Sequence, residues 1–267
     1  MSMKKIANKI LVLLAVATLI SCDKSENSTD NNVNNITYKA KWLVEENGDY
    51  KSFEFNESGN YIIVKNAPEG SATSEIVRFG TYETTDDKVL NLSNFGILKI
   101  QNTTANRMSF SIATLDNPET EINLNAQRQA EIANSTSTDL LCRTWELVTT
   151  NGETVAGTDM ELTVLFSAAG TYFVTYLNPT DENDGGLAQW VWTNSNEDSL
   201  CYSWDGTAPV CNGENTVSIT SLSANTLTIV ENSDVYILQP LTSGKSTNTE
   251  SIKTKSKLHL KKGFFKK

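Results

Sequence analysis

Histidine is almost missing from this chain: of 267 residues one is histidine, His259, close to the C-terminal end. A Ser-His-Asp or Cys-His nucleophile needs an imidazole to take its proton, so neither arrangement is open to the body of the protein. Zinc sites built from His and Cys are short of ligands for the same reason. The 14 glycines form no phosphate-cradling loop and fall instead in turn-like strings where positive φ is wanted. Carboxylates are plentiful, but no spacing singles out a pair for acid-base hydrolysis. No enzyme activity, cofactor or metal is therefore expected.

Long apolar stretches are also scarce, and the clearest stands near the start. Lys4, Lys5 and Lys9 lead into "ILVLLAVATLI", a run too short to cross a bilayer comfortably, which reads as a signal peptide over residues 1–21. It ends in "LISC", where a Leu three residues before Cys22 and a Ser just before it resemble the lipobox of bacterial lipoproteins. The resemblance implies cleavage before Cys22, a diacylglycerol on its thiol, an acyl chain such as palmitate on its amine, and anchorage in the outer membrane of a Gram-negative bacterium. Stable anchoring takes more than one acyl chain, at about 0.8 kcal/mol per buried methylene, and a triacylated Cys meets that condition. Residues 22–35, including "DKSENSTDNNVNN", bury too little to offset their ordering entropy and read as a flexible tether. Periplasmic and cell-surface display both remain open.

The rest of the chain repeats itself. "FEFNESGNYIIV" from Phe53 and "VLFSAAGTYFVT" from Val164 share Phe55/Phe166, Gly59/Gly170 and Tyr61/Tyr172, each pair 111 residues apart. Trp42 in "KWLVEE" answers Trp145 in "TWELVTT", and "LKIQNTTANRMSF" from Leu98 aligns with "VSITSLSANTLTI" from Val217 at an offset of 119. Order, spacing and residue type all recur, so the body is a duplication. Its copies occupy residues 36–125 and 139–241, joined by a linker at 126–138 and followed by a basic tail at 242–267.

Within each copy the apolar period is two: Phe53 and Phe55, Met108, Phe110 and Ile112, Trp190 and Trp192, Leu227 and Ile229. This is the mark of strands with one face inward. Turn strings such as "NESGN", "TTDDK", "SAAGT" and "NSNED" cut the pattern into about eight short strands per copy. Eight antiparallel strands close into an up-and-down barrel without free edges. The expected fold is all-β: two tandem small antiparallel eight-stranded barrels, with the glycine-aromatic hairpin as scaffold. The first-strand Trp, the F-x-x-x-G-x-Y hairpin, the central G-x-Y or W-x-W strand and the later I/V-x-I and L-x-I strands resemble the lipocalin-like domains of Bacteroidetes lipoproteins.

The copies differ in ways that point to function. Leu90 and Leu92 pair with Leu200 and Tyr202 at an offset of 110, against 119 downstream, so about nine residues are inserted between Tyr202 and Val217. In an exported protein disulfides persist, and a Cys201–Cys211 bridge would staple this insertion. Cys142 is then a buried thiol, the rival being its pairing with either of those two. The second copy also concentrates aromatics. Tyr172, Tyr176, Trp190, Trp192, Tyr202 and Trp204 are the candidate ligand-binding residues for a small apolar, aromatic or glycan molecule. An eight-stranded barrel is narrow enough for side chains alone to fill, so the same six residues also read as core. The acidic string "NPTDENDGG" at 178–186 reads as a solvated hairpin tip, with Ca²⁺ as its rival.

Charge completes the reading. The chain carries −10, but three lysines fall in the signal and eight lysines against one glutamate in residues 243–267. The part from 22 to 242 therefore carries −20. Such a body disfavours nucleic acid, whereas the tail "KTKSKLHLKKGFFKK" suits either an anionic lipid surface or a solubilising end. Two functions stay open. One is an anchored binding protein with a ligand in the second barrel, and the other is a structural or interaction lipoprotein with filled barrels. The oligomeric state is not set by the sequence.

Overall fold

The computed structural model describes residues 37–45, 48–70, 75–178, 185–204, 206–213 and 215–241. The signal peptide, Cys22, the tether, the basic tail with His259, and Asp181, Asn183 and Asp184 of the acidic string lie outside the described residues.

Barrel 1 runs through β1 (Lys41–Val44), β2 (Tyr50–Phe55), β3 (Asn60–Asn66), β4 (Glu75–Asp86), β5 (Val89–Leu92), β6 (Gly96–Thr103), β7 (Arg107–Thr114) and β8 (Asn117–Arg128). Every strand pairs antiparallel with its chain neighbour, and β8 returns to β1 through Trp42↔Arg128 and Val44↔Ala126. A short helix, α1 (Thr136–Leu141), follows. Barrel 2 comprises β9 (Thr144–Thr150), β11 (Leu162–Phe166), β12 (Thr171–Tyr176), β13 (Gly186–Trp192), β14 (Ser199–Ser203), β15 (Thr216–Leu222), β16 (Leu227–Glu231) and β17 (Asp234–Pro240). It closes by β17 pairing with β9, while the two-residue β10 (Glu153–Thr154) only extends β9 as a hairpin. The expected architecture, two closed eight-stranded antiparallel barrels, is what the chain forms.

The duplication reaches into details that the sequence does not display. Trp42 Nε1 donates to the carbonyl of Tyr38 at 2.7 Å, and Trp145 Nε1 to that of Leu141 at 2.9 Å, four residues upstream in each copy. Both indoles are fully buried. Each therefore ties the segment entering its barrel to the barrel floor. Gly59 and Gly170 both take φ close to +77° (76° and 78°), which L-residues with a Cβ adopt only under strain. A second insertion also appears. The stretch from Trp to hairpin is eight residues longer in copy 2 (Trp145 to Phe166 against Trp42 to Phe55), and it carries β10.

β8 continues to Arg128, and residues 136–141 are helical. Ser135 caps α1, accepting from the Thr138 amide and donating to Glu197 Oε2 at 2.6 Å. Leu141 is fully buried in the core of barrel 2. Short as it is, α1 lids one end of that barrel.

The repeated hairpins have two buried faces. β6 and β15 alternate in burial, as strands with a solvent side should, but β11 and β12 are buried at every position and β3 from Tyr61 to Val64. Inward residues Tyr61 and Ile63 join the core of barrel 1. Outward residues Ile62, Val64, Val77 and Phe79 of barrel 1 meet Leu165 and Phe173 of barrel 2 in a separate apolar cluster, with Phe79 and Phe173 ring centres 4.8 Å apart. Runs such as "YIIV" are what a strand buried on both faces requires. At about 1.5–3 kcal/mol per fully buried large apolar side chain, this cluster is a substantial inter-barrel bond.

Polar contacts around it are reciprocal. Lys41, just before the first Trp, reaches Thr171, just before the second hairpin Tyr, at 3.4 Å. Thr144, just before the second Trp, lies 3.5 Å from Asn60, just before the first hairpin Tyr. Residue i meets j while the equivalent of j meets the equivalent of i, the pattern of an isologous two-fold contact. The hairpin is thus the scaffold of each barrel and also the joint between them.

Candidate functional site

The six aromatic candidates all lie in barrel 2, and the structure brings them together. Tyr172, Trp190 and Tyr202 are at most 1% exposed and Tyr176 is 4% exposed; Trp192 and Trp204 are half-buried against the same core. Their rings pack edge to face: Trp190 and Trp192 at 5.3 Å, Tyr172 and Trp204 at 5.4 Å, Tyr202 and Trp204 at 6.1 Å. Such contacts add about 0.5–1.5 kcal/mol to area burial.

Two of the indoles are committed to architecture. Trp190 Nε1 donates to the carbonyl of Ser167 at 3.1 Å, fixing the β11–β12 turn, and Trp192 Nε1 donates to Thr138 Oγ1 at 3.0 Å, fastening the α1 lid.

Sequence reasoning missed a buried acid at the centre of this set. Glu231 is 3% exposed and accepts from Tyr202 Oη at 3.0 Å. Burial, followed by the neighbouring Tyr176, Glu231, Tyr202 and Tyr236, pushes the Tyr172 phenol well above its ordinary range. Burial, then Glu231, does the same to Tyr202. Strand parity does carry the signal, since Glu231 falls two and four residues after inward-facing Ile229 and Leu227. The matching position in barrel 1 is Ile112, fully buried, so the polar centre belongs to copy 2 alone.

The inserted loop is stapled as expected: Cys201 and Cys211 are disulfide-bonded with Cα atoms 5.5 Å apart. Cys142 is free and half-buried at the C-terminal end of α1. Burial, followed by the charges of Asp139, Glu54 and Glu131, pushes its thiol up to about 12. A thiol so placed is protonated at neutral pH and is a poor nucleophile.

A concavity lies at the junction of the barrels, with a volume of about 340 Å³. It is framed by the β2–β3 turn, the β11–β12 turn, the linker and α1, and its lining includes Glu54, Asn56, Glu131, Asp139, Cys142 and Phe166. Glu54 faces outward from barrel 1 but is only 3% exposed, because barrel 2 covers it. Its Oε2 accepts from Thr171 Oγ1 at 2.6 Å. No family model matches this chain and no curated protein aligns with it.

Proposed function

We propose that this protein is a lipid-anchored, non-catalytic envelope lipoprotein of a Gram-negative bacterium, whose two barrels are filled by their own side chains. It acts through its outer surface, engaging another envelope or cell-surface component. The observation that supports this reading is the packing of the six aromatic candidates in or against the core of barrel 2, with Trp190 on Trp192 and both Tyr172 and Tyr202 on Trp204. A filled interior leaves the surface as the place of recognition, and two barrels in tandem double that surface.

The lipobox-like "LISC" supports the anchoring. Replacing Cys22→Ala is expected to shift the protein from the membrane fraction to the soluble one, and an unchanged distribution would overturn it.

One observation favours the rival reading, a small apolar, aromatic or glycan ligand inside barrel 2. Glu231 places a carboxylate among Tyr172, Tyr176, Tyr202 and Tyr236, a costly arrangement to keep buried. Native mass spectrometry of the purified chain, with an apolar fluorescent cavity probe beside it, decides between them. A ligand-free mass and no probe binding support the filled barrels. A co-purified ligand, or binding that Tyr172→Ala abolishes, supports the rival.

A further inference from the structure

The junction cleft holds two buried polar atoms whose hydrogen-bonding capacity the protein leaves unused. Glu54 Oε1 is buried with no hydrogen-bond partner, and so is Asn56 Nδ2; both residues line the cleft. An unused carboxylate oxygen in such a place costs several times what an exposed one would. Among the described residues no ion pair reaches Glu54. Lys41, its partner in the β1–β2 register, is bound to the Thr171 hydroxyl instead.

The orientation of Asn56 is set by its surroundings. Its Oδ1 accepts from the Asn60 amide at 3.0 Å, and exchanging the amide atoms would set donor against donor. The cleft therefore offers one buried anionic acceptor and one buried neutral donor. The other charged groups lining it point the same way. Lys39 is taken up by Glu57 at 2.5 Å, and Glu131 by Arg128 at 2.5 Å. Among the described residues Glu54 and Asp139 remain as carboxylates without an ion-pair partner, and after burial itself Asp139, Glu54 and Glu131 add to the upward push on the Cys142 thiol.

The fold itself does not ask for a carboxylate here. The equivalent position in copy 2, 111 residues on, is Leu165, 2% exposed within the apolar cluster of the same junction. We infer that the inter-barrel cleft is a binding site for a small organic cation, a primary ammonium with an oxygen acceptor on a neighbouring carbon. The ammonium sits on Glu54 Oε1 and the oxygen accepts from Asn56 Nδ2. Among the described residues no group of three or more His, Cys, Asp or Glu could hold a metal ion, so an ammonium is the cation that fits. A volume of about 340 Å³ lies at the small end of ligand sites, about 300–1,000 Å³. The acidic lining disfavours a ligand that also carries phosphate. This inference does not depend on how the interior of barrel 2 is filled.

The test is titration calorimetry of the full chain with ethanolamine and glucosamine, using ethylene glycol, glucose and phosphoethanolamine as matched controls. Saturable binding of the two amines is expected, with ethylene glycol and glucose weaker by about tenfold or more through loss of one charge-assisted hydrogen bond, and phosphoethanolamine weaker because its phosphate meets the acidic lining. Glu54→Gln should weaken amine binding by about tenfold or more while leaving the fold as stable as before, since it removes a buried charge. Asn56→Ala should weaken it less, and serves as the second probe if Glu54→Gln misfolds. Absence of saturable amine binding to the wild-type chain would overturn the site. So would equal binding of glucosamine and glucose, or undiminished binding in both variants.

Discussion

Thr171 Oγ1 of barrel 2 donates to Glu54 Oε2 of barrel 1 at 2.6 Å, a buried hydrogen bond that crosses from one copy to the other. Lys41, opposite Glu54 in the β1–β2 register, reaches the same hydroxyl at 3.4 Å. One threonine thus mediates between a buried cation and a buried anion that make no direct ion pair.

Replacing Thr171→Val keeps the shape and removes this mediation, leaving both oxygens of Glu54 unsatisfied. A loss of about 1–3 kcal/mol is expected, read as a lowered denaturation midpoint. Glu54→Leu introduces the residue type that copy 2 carries at Leu165. The double variant should recover much of the loss, a coupling of about 1 kcal/mol or more. Strict additivity of the two changes would show that the bond contributes nothing to the junction.

The Cys201–Cys211 bridge closes a loop of ten residues of sequence separation. Changing both cysteines to serine is expected to cost about 2–3 kcal/mol, seen in thermal unfolding under non-reducing conditions. Cys142→Ser should leave the bridge intact in peptide maps. A map that joins Cys142 to either partner would contradict the assignment.

Gly80 lies opposite Tyr61 in the β3–β4 register, and a Cβ there would come within 2.6 Å of both the Tyr61 ring and Ser93 Oγ. That ring is held in place by its hydroxyl, which donates to the Ser93 carbonyl at 2.6 Å. Gly80→Ala should destabilise the protein by about 1–3 kcal/mol through overpacking. Copy 2 accepts alanine at the matching place, Ala188 opposite Tyr172. An unchanged melting temperature for Gly80→Ala would mean that Tyr61 moves freely.

The Cys142 thiol, raised from an ordinary 9.0 to about 12, makes a pH prediction with a definite sign. The folded state holds that proton more tightly than the unfolded chain does. Its contribution to stability is therefore complete below pH 9 and is lost as pH rises from 9 towards 12. Urea midpoints measured across that window should fall more steeply for the wild type than for Cys142→Ala. Parallel curves would place the thiol in water. Alkylation at neutral pH should also be slow, and should speed up on unfolding.

The closed barrels were legible because a buried inward face imposes a period of two, and because duplication wrote that period twice at a measurable offset. Phe55, Gly59 and Tyr61 with their counterparts marked the second and third strands of each barrel. The bridge between Cys201 and Cys211 was legible because the offset between the copies locates an inserted loop with Cys201 at its edge and Cys211 inside it, close enough in the chain to pair. The acid at the centre of barrel 2 was harder to read. Glu231 follows the parity of Leu227 and Ile229, yet a charged residue at a strand end reads as a turn unless the barrel is known to continue around it. The insertion bearing β10 is marked in the sequence only by a change of offset, from 103 between Trp42 and Trp145 to 111 at the hairpin, and the two-residue β10 itself is too short to carry a period.

By itself the sequence determined the strands, their inward faces, the duplication and the stapled loop, since each of these is set by local periodicity or by residues close together in the chain. The tertiary structure alone decided that the two hairpins meet back to back. Their outward residues are set by contact with a surface 111 residues away, and the continuous apolar runs could as well have been buried within one barrel. The same contact covers Glu54, turning an outward strand residue into a buried anion at the edge of a cleft. Burial of that kind depends on how two finished barrels pack, so no spacing within either copy could announce it.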